Sequence, residues 1–423
     1  MKFVANASRL EGTVRAPPSK SYTHRAVFMS ALSGGPCRIG HPLLSEDTEA
    51  SVAGIEALGA TVARDKNSFR IVCEELRPSK AEIDARNSGT TLRLLTGIAA
   101  LLKAPTFLTG DASLRRRPIR PLLRALERLG ARFKAHGSGG CPPVEIRGPL
   151  VGGRTTIPGS VSSQFLSSLL LACPLAQRET VIRVTPPIIS EPYVEMTRFM
   201  LRRFDVLADA VETSFEIPGH QVYRPIDFDV PGDLSSAAVP LTAAAVCGGD
   251  VTVEAIDLDL PQGDERIVNL LGSFGARVTS SENRVRVRAD ELSGQRIDIG
   301  DTPDLFPVLA VLATQARGET RFVNGAHLHL KESDRIATTV TFLKAMGADA
   351  QATQDGCVIR GPSKLRGAAV ESHGDHRILM AAAVAALAAS GPTEITDPWC
   401  FRVSYPTFLD DFRSLGAEMA VVP

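Results

Sequence analysis

The stretch A-L-E-R-L-G-A-R-F at residues 125–133 joins an amphipathic helical turn to a glycine and then to a β-like run. Gly130 predicts the end of a helix, because glycine readily adopts the left-handed conformation that closes helices. Similar stretches stand at 55–62, 270–278, 342–350 and 412–419, and a degraded copy at 199–208 has Asp205 in the glycine position. The aligned positions 59, 130, 205, 275, 347 and 416 are 69 to 75 residues apart. Such junctions are common in α/β proteins, but this even spacing favours an internal repeat.

A repeat of about 70 residues is longer than a solenoid unit and has room for several strands and helices. The six copies divide into two sets of three near the proline-rich, acidic segment at 223–233. Apolar runs at 165–172, 305–313 and 378–388 are hydrophobic on nearly all sides, so we expect interior helices there. The pattern predicts an α/β fold with helices inside and sheets outside, in two lobes whose cleft suits a ligand.

The composition is that of an ordinary globular protein of 423 residues, 44% hydrophobic and 22% charged. Its 47 basic residues balance its 47 acidic ones, which argues against a nucleic-acid or membrane-surface partner. The N-terminal segment has no apolar signal-peptide core, and the apolar run at 378–390 is too short to span a bilayer. Seven scattered cysteines without a C-x-x-C pair indicate a reducing compartment, so we expect a cytoplasmic protein.

Three motifs in the first half of the chain place polar groups at predicted helix starts. R-N-S-G-T-T-L-R-L-L at 86–95 includes Gly89, and D-A-S-L-R-R-R-P-I-R-P at 111–121 includes Arg117. G-S-V-S-S-Q-F at 159–165 places Ser162, Ser163 and Gln164 before an apolar helix. The free N–H groups of a helix start attract anions. Ordinary N-capping, or a solvated face for the arginine run, is the alternative interpretation.

A charged motif in the second half, L-K-E-S-D-R-I at 330–336, places four charges at one predicted helix start. Lys331 and Arg335 are four residues apart and would share a helix face. Like charges there repel unless an anion lies between them; surface salt bridges with Glu332 and Asp334 are the alternative. Asp304, in T-P-D at 302–304, precedes another apolar helix and is expected to share this site.

The histidines raise the alternative of a metal site. H-G-D-H-R at 373–377 could combine with His327 and His329, which we expect to alternate onto one face of a strand. Zinc or iron needs three or four converging ligands, and nothing in the spacing compels that, so we predict no metal. Asp233, before another apolar helix, is interpreted as a plain N-cap.

The cationic candidates together point to a heavily anionic substrate pair. They are Lys20, Arg25, Arg117, Lys331, Arg335, Arg377 and Arg402. Neither G-x-x-x-x-G-K-[ST] nor G-x-G-x-x-G occurs, so ATP and NAD chemistry lack their usual loops and no cofactor is predicted. Asp304 and Glu332 are the carboxylates left for general acid–base catalysis.

The order of these motifs resembles the 5-enolpyruvylshikimate-3-phosphate synthase family. The resemblance covers essentially the whole chain and rests on P-S-K-S-x-x-x-R, N-S-G-T-T-x-R, R-R-P-I, G-S-V-S-S-Q-F, T-P-D, L-K-E-S-D-R and G-D-H-R. It implies two inside-out α/β domains, each of three βαβαββ-type repeats, with the active site in the interdomain cleft. The first lobe would be residues 17–230, and the second would be 1–16 plus 231–423.

By this resemblance the chain would be a transferase of the shikimate pathway, which leads to chorismate and the aromatic amino acids. It would move the enolpyruvyl group of phosphoenolpyruvate to the 5-hydroxyl of shikimate 3-phosphate and release phosphate. We expect a monomer with these two small molecules as partners, and with no nucleic acid, membrane, cofactor or metal. The absence of a side chain at Gly89 would leave room for the inhibitor glyphosate.

The resemblance also implies a role for each matching residue. Shikimate 3-phosphate would be bound by Lys20, Ser21, Arg25, Ser162, Ser163, Gln164, Ser190, Asp304 and Lys331, with Tyr193 nearby. Phosphoenolpyruvate would be bound by Lys20, Gly89, Arg117, Gln164, Arg335 and Arg377. Asp304 would accept the hydroxyl proton, while Glu332 and Lys20 would transfer protons at the methylene and the departing phosphate.

The chain departs from the family pattern at three positions. His327 stands where the family often has asparagine, and Ser88 stands where many members have alanine. Val403 stands where the family has a C-terminal lysine that binds phosphoenolpyruvate. Adjacent Arg402 could replace that lysine, but neighbouring side chains on a strand point in opposite directions.

Three other functions compete with this interpretation. The sister UDP-N-acetylglucosamine enolpyruvyl transferases share the fold and the donor but commonly carry a reactive cysteine in the arginine-rich loop. In this chain no cysteine lies between Cys73 and Cys141. A non-catalytic anion-binding protein would not need Asp304 with Glu332, and a histidine-based metallohydrolase would lose its activity with a chelator.

Overall fold

The computed structural model, which describes residues 1–78 and 82–423, repeats one succession of elements: strand, helix, strand, helix, strand, strand. Within these ranges the succession is complete five times, and Lys2–Ala5 supplies the missing strand of the sixth copy. The chain divides into two compact units, residues 18–230 and residues 1–17 plus 231–423. Each unit contains three of the six described sheets and six of the twelve described α-helices.

Each repeat contributes a four-stranded sheet, whose strands follow one another in a fixed order from one edge to the other. In the unit 18–230 the sheets are Asp227–Asp229, Cys37–Gly40, Ser68–Val72 and Thr61–Asp65; Glu82–Asp84, Thr106–Thr109, Val144–Arg147 and Arg132–Ala135; and Gly153–Pro158, Thr180–Thr185, Ser214–Ile217 and Asp209–Val211. In the other unit they are Glu11–Arg15, Asp250–Glu254, Arg284–Arg288 and Arg277–Ser281; Arg296–Asp298, Gly318–Val323, Gly356–Gly361 and Asp349–Thr353; and Ala369–Val370, Thr393–Ile395, Lys2–Ala5 and Met419–Val422.

The pairing within the sheets is the same in every copy. The first two strands are parallel, and the remaining two join them in antiparallel register. Three of the described sheets include strands from distant parts of the chain, the first being the sheet in which Glu11–Arg15 pairs with Asp250–Glu254. Asp227–Asp229 completes the sheet of the first repeat, while Lys2–Ala5 lies between Thr393–Ile395 and Met419–Val422.

Each repeat also has two helices. The first helices of the repeats, in chain order, are Lys20–Leu32, Gly89–Ala99, Ser163–Ala172, Leu234–Cys247, Phe306–Gln315 and His376–Leu387. The second helices are Glu46–Ala57, Arg120–Arg128, Glu191–Arg203, Ile267–Phe274, Arg335–Ala345 and Phe408–Ser414. Short 3-10 turns at Leu114–Arg116, Ser138–Gly140, Cys173–Leu175, Ala326–Leu330 and Cys400–Val403 complete the described helical segments.

All six second helices end in the same hydrogen-bonded cap. At positions 59, 130, 205, 275, 347 and 416 the backbone φ is positive, including φ 59° at Asp205. In each copy this residue donates its N–H to the carbonyl three residues earlier, and the next residue donates to the carbonyl five residues earlier. This pair of bonds is the Schellman motif. The predicted repeat is therefore confirmed, and Asp205 adopts the glycine conformation.

The first helices form the interior of each unit. Nearly every residue of Ser163–Ala172, Phe306–Gln315 and His376–Leu387 is buried, which confirms the prediction of interior helices. In the unit 1–17 plus 231–423, the helices Leu234–Cys247, Phe306–Gln315 and His376–Leu387 pack pairwise against one another. The strands present an exposed face, as in the alternating burial of Arg284–Arg288. Helices inside and sheets outside is the layering predicted.

No helix in the described ranges is both long and apolar enough to cross a membrane.

Candidate active site

The first helix start of the unit 18–230 presents Lys20. Ser19 caps this helix by accepting from the N–H of Tyr22, and Lys20 is the first helical residue. The Lys20 ammonium donates to Asp47 Oδ2 at 3.0 Å, with both side chains largely buried. Thr91 ties the neighbouring helix to the same place, because its hydroxyl donates to the Asp47 carbonyl at 3.2 Å. The starts of three helices are thus connected around Lys20.

Arg25 lies one turn further along the same helix and is buried. Its guanidinium donates to Thr197 Oγ1 and to the Tyr193 carbonyl, each at 2.8 Å, and to the Ser21 carbonyl at 3.0 Å. Burial lowers the pKa of Arg25 to about 10. Tyr193 belongs to the helix that begins after Ser190, so Arg25 connects the two segments predicted to bind shikimate 3-phosphate.

Gly89 is the first residue of its helix, which Ser88 caps by accepting from the Thr91 N–H at 3.2 Å. A Cβ atom at Gly89 would lie 3.3 Å from Arg117 Nη1, 3.5 Å from Arg93 Nη1 and 3.7 Å from Gln164 Oε1. Two guanidinium groups and an amide therefore surround a position that has no side chain.

Hydrogen bonds hold the side chains around Gly89 in place. Arg117 donates to Asn87 Oδ1 at 2.7 Å, and Gln164 Nε2 donates to Thr90 Oγ1 at 2.9 Å. Ser162 caps the helix Ser163–Ala172 by accepting from the Gln164 N–H at 3.3 Å. We call Lys20, Asp47, Gly89, Arg93, Arg117, Ser162 and Gln164 the Gly89 cluster; all belong to the unit 18–230.

A second cluster, in the other unit, is organised by Arg335, which is 1% exposed. Its guanidinium donates to Asp304 Oδ1 at 2.6 Å, to Glu332 Oε2 at 2.7 Å and to Asp375 Oδ2 at 2.9 Å. Against the effect of burial, these three carboxylates raise the pKa of Arg335 well above its usual value.

Asp304 and Asp375 extend this cluster to Arg377. Asp304 Oδ2 accepts from Arg377 Nη2 at 3.3 Å, so each Asp304 oxygen contacts a buried guanidinium. Asp375 caps the helix His376–Leu387 and accepts from the Arg377 backbone N–H at 2.9 Å. Burial and the Asp304 charge raise the pKa of nearby Asp264 to about 7. We call Asp304, Glu332, Arg335, Asp375 and Arg377 the Arg335 cluster.

The expectation that Lys331 and Arg335 share a helix face was wrong. The helix begins at Arg335, because Asp334 is its N-cap and accepts from the Ala337 N–H at 3.0 Å. Lys331 therefore precedes the helix. The alternative of surface salt bridges with Glu332 and Asp334 was right about Glu332, which pairs with Arg335 at 2.7 Å. Arg335 is buried, however, and pairs also with Asp304 and Asp375 from other segments.

The histidines and Arg402 also differ from expectation. His327 and His329 lie on a 3-10 turn, Ala326–Leu330, and not on a strand. His329 contacts Asp334 at 2.8 Å, and no group of three potential metal ligands converges in the described part of the chain. Arg402 also lies on a 3-10 turn, where its guanidinium stacks 4.1 Å from the Trp399 ring centre. The strand argument about Val403 therefore does not apply.

His327 is 5% exposed, and burial lowers its pKa to about 3. Its Nε2 is buried and has no hydrogen-bond partner among the described residues. Asp233 caps the helix Leu234–Cys247 by accepting from the Ser236 N–H at 2.8 Å, which confirms its interpretation as an N-cap.

Sequence reasoning missed several members of the two clusters, and also Asp264, which lies near Asp304. Arg93 and Asp375 stand inside quoted motifs, N-S-G-T-T-x-R and G-D-H-R, but neither was assigned a role. Asp47 and Asp264 stand in no motif that we singled out. Asp47 lies next to Lys20, and Asp264 lies near Asp304, because of how the chain packs in three dimensions. No local pattern in the sequence predicts these contacts.

Comparison with known proteins identifies relatives of the chain. Residues 4–412 match the family described as EPSP synthase (3-phosphoshikimate 1-carboxyvinyltransferase). The chain is 45% identical over 422 residues to a 3-phosphoshikimate 1-carboxyvinyltransferase of Methanocorpusculum labreanum, covering 99% of both chains. It is 40% identical over 424 residues to the enzyme of that name from Methanocaldococcus jannaschii, again with 99% of each chain covered.

A solved structure of EPSP synthase from Acinetobacter baumannii is similar over the full length of both chains. Its TM-score is 0.82 at 29% sequence identity. A second structure of EPSP synthase from that organism matches with the same TM-score at 28% identity. The two-domain α/β architecture therefore agrees with that of solved relatives.

Proposed function

The chain belongs to the EPSP synthase family, and from this premise we propose that the Gly89 cluster and the Arg335 cluster together carry its reaction. As a member of this family the chain is a transferase of the shikimate pathway. It transfers the enolpyruvyl group of phosphoenolpyruvate to shikimate 3-phosphate, a step of aromatic amino-acid biosynthesis. The roles of individual residues are our proposal.

Asp304 is the proposed acceptor of the proton from the 5-hydroxyl of shikimate 3-phosphate. The observation that carries this proposal is that each oxygen of Asp304 accepts from a different buried guanidinium, of Arg335 or Arg377. Such bonds fix the orientation of the carboxylate, and a general base must be held in position to take a proton.

Phosphoenolpyruvate is the proposed ligand of the cationic groups in both clusters. Arg117 and Gln164 face the open position at Gly89, and Lys20 stands at a neighbouring helix start. Arg335 and Arg377 supply two more cations. Guanidinium groups bind carboxylate and phosphoryl oxygens in a fork, which suits a small molecule that carries both groups.

Shikimate 3-phosphate is the proposed ligand of a second set of groups. Ser162, Ser163 and Gln164 stand at a helix start, where hydroxyl, amide and free N–H groups suit phosphate and sugar oxygens. We assign it also Lys20, Ser21, Arg25, Ser190, Asp304 and Lys331. Arg25 already donates to the Tyr193 and Ser21 carbonyls, which supports a role in holding both segments.

The proposed reaction has two stages. The 5-hydroxyl oxygen bonds to C2 of phosphoenolpyruvate as Asp304 takes its proton, and the methylene carbon gains a proton. The tetrahedral intermediate then loses a proton from that carbon, the enol double bond forms, and phosphate leaves. Glu332 and Lys20 are the proposed proton-transfer groups at the methylene and at the phosphate. Fixed charges beside the developing cationic centre supply the electrostatic stabilisation.

The test is release of inorganic phosphate from the purified chain with both substrates. We expect release only when phosphoenolpyruvate and shikimate 3-phosphate are both present, with and without a chelator. Folded protein that releases no phosphate above background would refute these assignments, and loss of activity with a chelator would favour the metallohydrolase.

We further propose that the units 18–230 and 1–17 plus 231–423 are the two lobes of a cytoplasmic monomer. The seven free cysteines support a reducing compartment. Light scattering of the purified chain tests the monomer: a mass near 45.1 kDa is expected, and twice that mass would contradict it.

A further inference from the structure

We propose that Arg93 is a positioning residue of the transferase, one that orients the Gln164 amide so that its N–H faces phosphoenolpyruvate. The inference rests on the proposed role of Gln164 as a phosphoenolpyruvate ligand. Arg93 was assigned no role by the motif that contains it, and the structure places it at the centre of the Gly89 cluster.

Arg93 is 8% exposed and engages three groups at once. Its Nη1 donates to Gln164 Oε1 at 2.5 Å and contacts Ser162 Oγ at 3.5 Å, while Nη2 contacts the Pro118 carbonyl at 3.5 Å. Its guanidinium also stacks over the Phe165 ring, 5.3 Å from the ring centre. Because these contacts fix the Arg93 guanidinium, it can in turn fix the orientation of the Gln164 amide.

The contact with Arg93 decides which way the Gln164 amide points. Because Arg93 has only N–H donors, it accepts no hydrogen bond and can bind only the Oε1 end of the amide. The Nε2 end is then turned toward Thr90 Oγ1, at 2.9 Å. An amide nitrogen carries two N–H groups, so the second N–H is the one available to a ligand oxygen. A flipped amide would instead present a carbonyl oxygen, which repels anions.

The orientation of the Gln164 amide matters for anion binding because of the charges around Gly89. Arg93 Nη1 and Arg117 Nη1 both lie within about 3.5 Å of the point where a Gly89 Cβ would stand, so they are less than about 7 Å apart. Two guanidinium groups this close repel, and the Gln164 oxygen that accepts from Arg93 Nη1 offsets part of that repulsion. The Gln164 atom beside this point is Oε1, at 3.7 Å, and because it accepts from Arg93 the Nε2 end of the amide is the one left for a ligand oxygen.

Packing between two first helices sets the register of Arg93 and Gln164. Ser168 Oγ donates to the Arg93 carbonyl at 2.6 Å, which joins the helix Gly89–Ala99 to the helix Ser163–Ala172. Gly97 permits this close crossing, because a Cβ there would lie 2.6 Å from the Ser168 carbonyl oxygen. Because the two helices cross this closely, Arg93, one turn after Gly89, lies next to Gln164.

A double-mutant cycle tests the proposal by phosphate release at varied phosphoenolpyruvate. Arg93→Ala should lower kcat/KM for phosphoenolpyruvate about 10- to 100-fold, the range for one lost charge-assisted hydrogen bond. In the Gln164→Ala background the same change should have less than about a threefold effect, because the amide that it orients is gone. Arg198→Ala is the matched control: Arg198 also stacks on a ring, Phe215, and pairs with Glu195.

Gln164→Glu removes the donor, and it also adds a negative charge near the anion. The carboxylate keeps an acceptor for Arg93 but has no N–H, so KM for phosphoenolpyruvate should rise about tenfold or more with little change in urea stability. Should Arg93→Ala not fold, Arg93→Lys and Gln164→Glu still decide the matter. A lysine retains the charge without the fork, and we expect it to lose affinity as well.

Three outcomes would overturn the inference. They are an equal effect of Arg93→Ala in both backgrounds, an unchanged kcat/KM in Arg93→Ala and Arg93→Lys, or an unchanged KM in Gln164→Glu. Each of these presupposes an active parent chain. Absence of phosphate release by the parent chain would contradict the proposed function instead, so the two failures are distinguishable.

Discussion

At the scale of single residues, Asp304 is the group whose removal separates binding from chemistry. Asp304→Ala should lower kcat by about 100-fold or more, the contribution of a general base, while shikimate 3-phosphate still binds. Arg335 retains Glu332 and Asp375 as partners, so we expect the fold to survive. Turnover and calorimetric titration of shikimate 3-phosphate measure the two effects. Asp349→Ala, at an exposed position, is the control; a variant with retained turnover would remove Asp304 from its role.

Gly89 is the residue at which an added side chain would enter the proposed donor pocket. A methyl group there would stand 3.3 Å from Arg117 Nη1 and 3.5 Å from Arg93 Nη1. Gly89→Ala should therefore weaken inhibition by glyphosate about tenfold or more, or ~1.4 kcal/mol. Inhibition curves at fixed phosphoenolpyruvate measure this. Gly272→Ala, where a Cβ would meet nothing within 4 Å, is the matched control, and unchanged inhibition would mean a differently built pocket.

His327 couples stability to pH. Burial lowers its pKa from 6.5 in the unfolded chain to about 3 in the folded one. The unfolded state therefore binds the proton first, and stability that is fully present above pH 6.5 is lost as pH falls toward 3. Between about pH 6.5 and about pH 5 the free energy of unfolding should fall by about 2 kcal/mol less in His327→Asn than in the parent chain.

Urea unfolding at about pH 7, 6 and 5 measures the effect at His327. His220→Asn, at an exposed histidine, should leave the pH dependence as it is in the parent chain. Parallel pH profiles for the parent and His327→Asn would show that His327 is not buried in its neutral form.

At the scale of elements, the six helix caps are equivalent in geometry but not in sequence. Asp205 has φ 59° where the other copies have glycine, and its salt bridge to Arg224 joins two exposed side chains. Exposed salt bridges contribute little to stability, whereas a left-handed backbone conformation is unfavourable for a residue with a Cβ atom. Asp205→Gly should therefore raise the free energy of unfolding by about 1 kcal/mol, measured by urea titration.

Gly275→Ala is the converse change at an equivalent cap. Gly275 has φ 107°, and a Cβ there would lie 2.4 Å from the Glu291 carbonyl oxygen. The variant should lose about 1–3 kcal/mol of stability through strain. Equal stabilities of the two variants and the parent chain would show that the caps do not depend on glycine.

At the scale of the whole molecule, the units differ in how the chain builds them. Residues 18–230 are continuous and supply every described strand of their three sheets, so we expect this segment to fold alone. Residues 231–423 lack Lys2–Ala5, a central strand of its sheet, and Glu11–Arg15. We expect that segment alone to remain unfolded. Without the central strand Lys2–Ala5, backbone groups of the neighbouring strands have no hydrogen-bond partner and apolar side chains are exposed to water.

A permuted chain provides the control for this prediction. Lys2 pairs with Val422, so a short linker can join residue 423 to residue 1. The segment 231–423 followed by 1–17 should then fold cooperatively, as circular dichroism and urea titration can show. A cooperative fold of 231–423 without residues 1–17 would contradict the assigned topology.

Much of the fold was predictable because its signals are local. The glycine in five of the six caps is favoured by the positive φ of that one residue, and the spacing of the caps indicated the number of repeats. Apolar runs such as 165–172 predicted interior helices because a helix without a polar face must be buried. The start of the helix at Arg335 was missed, since Asp334 can equally be read as a charged helical residue or as its cap.

The sequence alone therefore determined the sixfold repeat, the buried first helices, the motif order and the residues that carry charge, because each depends on neighbours along the chain. Only the tertiary structure decided which charges meet. Arg335 pairs with Asp304 and Asp375, Lys20 with Asp47, and Arg93 with Gln164, across 27 to 71 residues of sequence. The reason is physical: such partners are chosen by which helix starts pack side by side, and that is fixed by the whole interior of each unit.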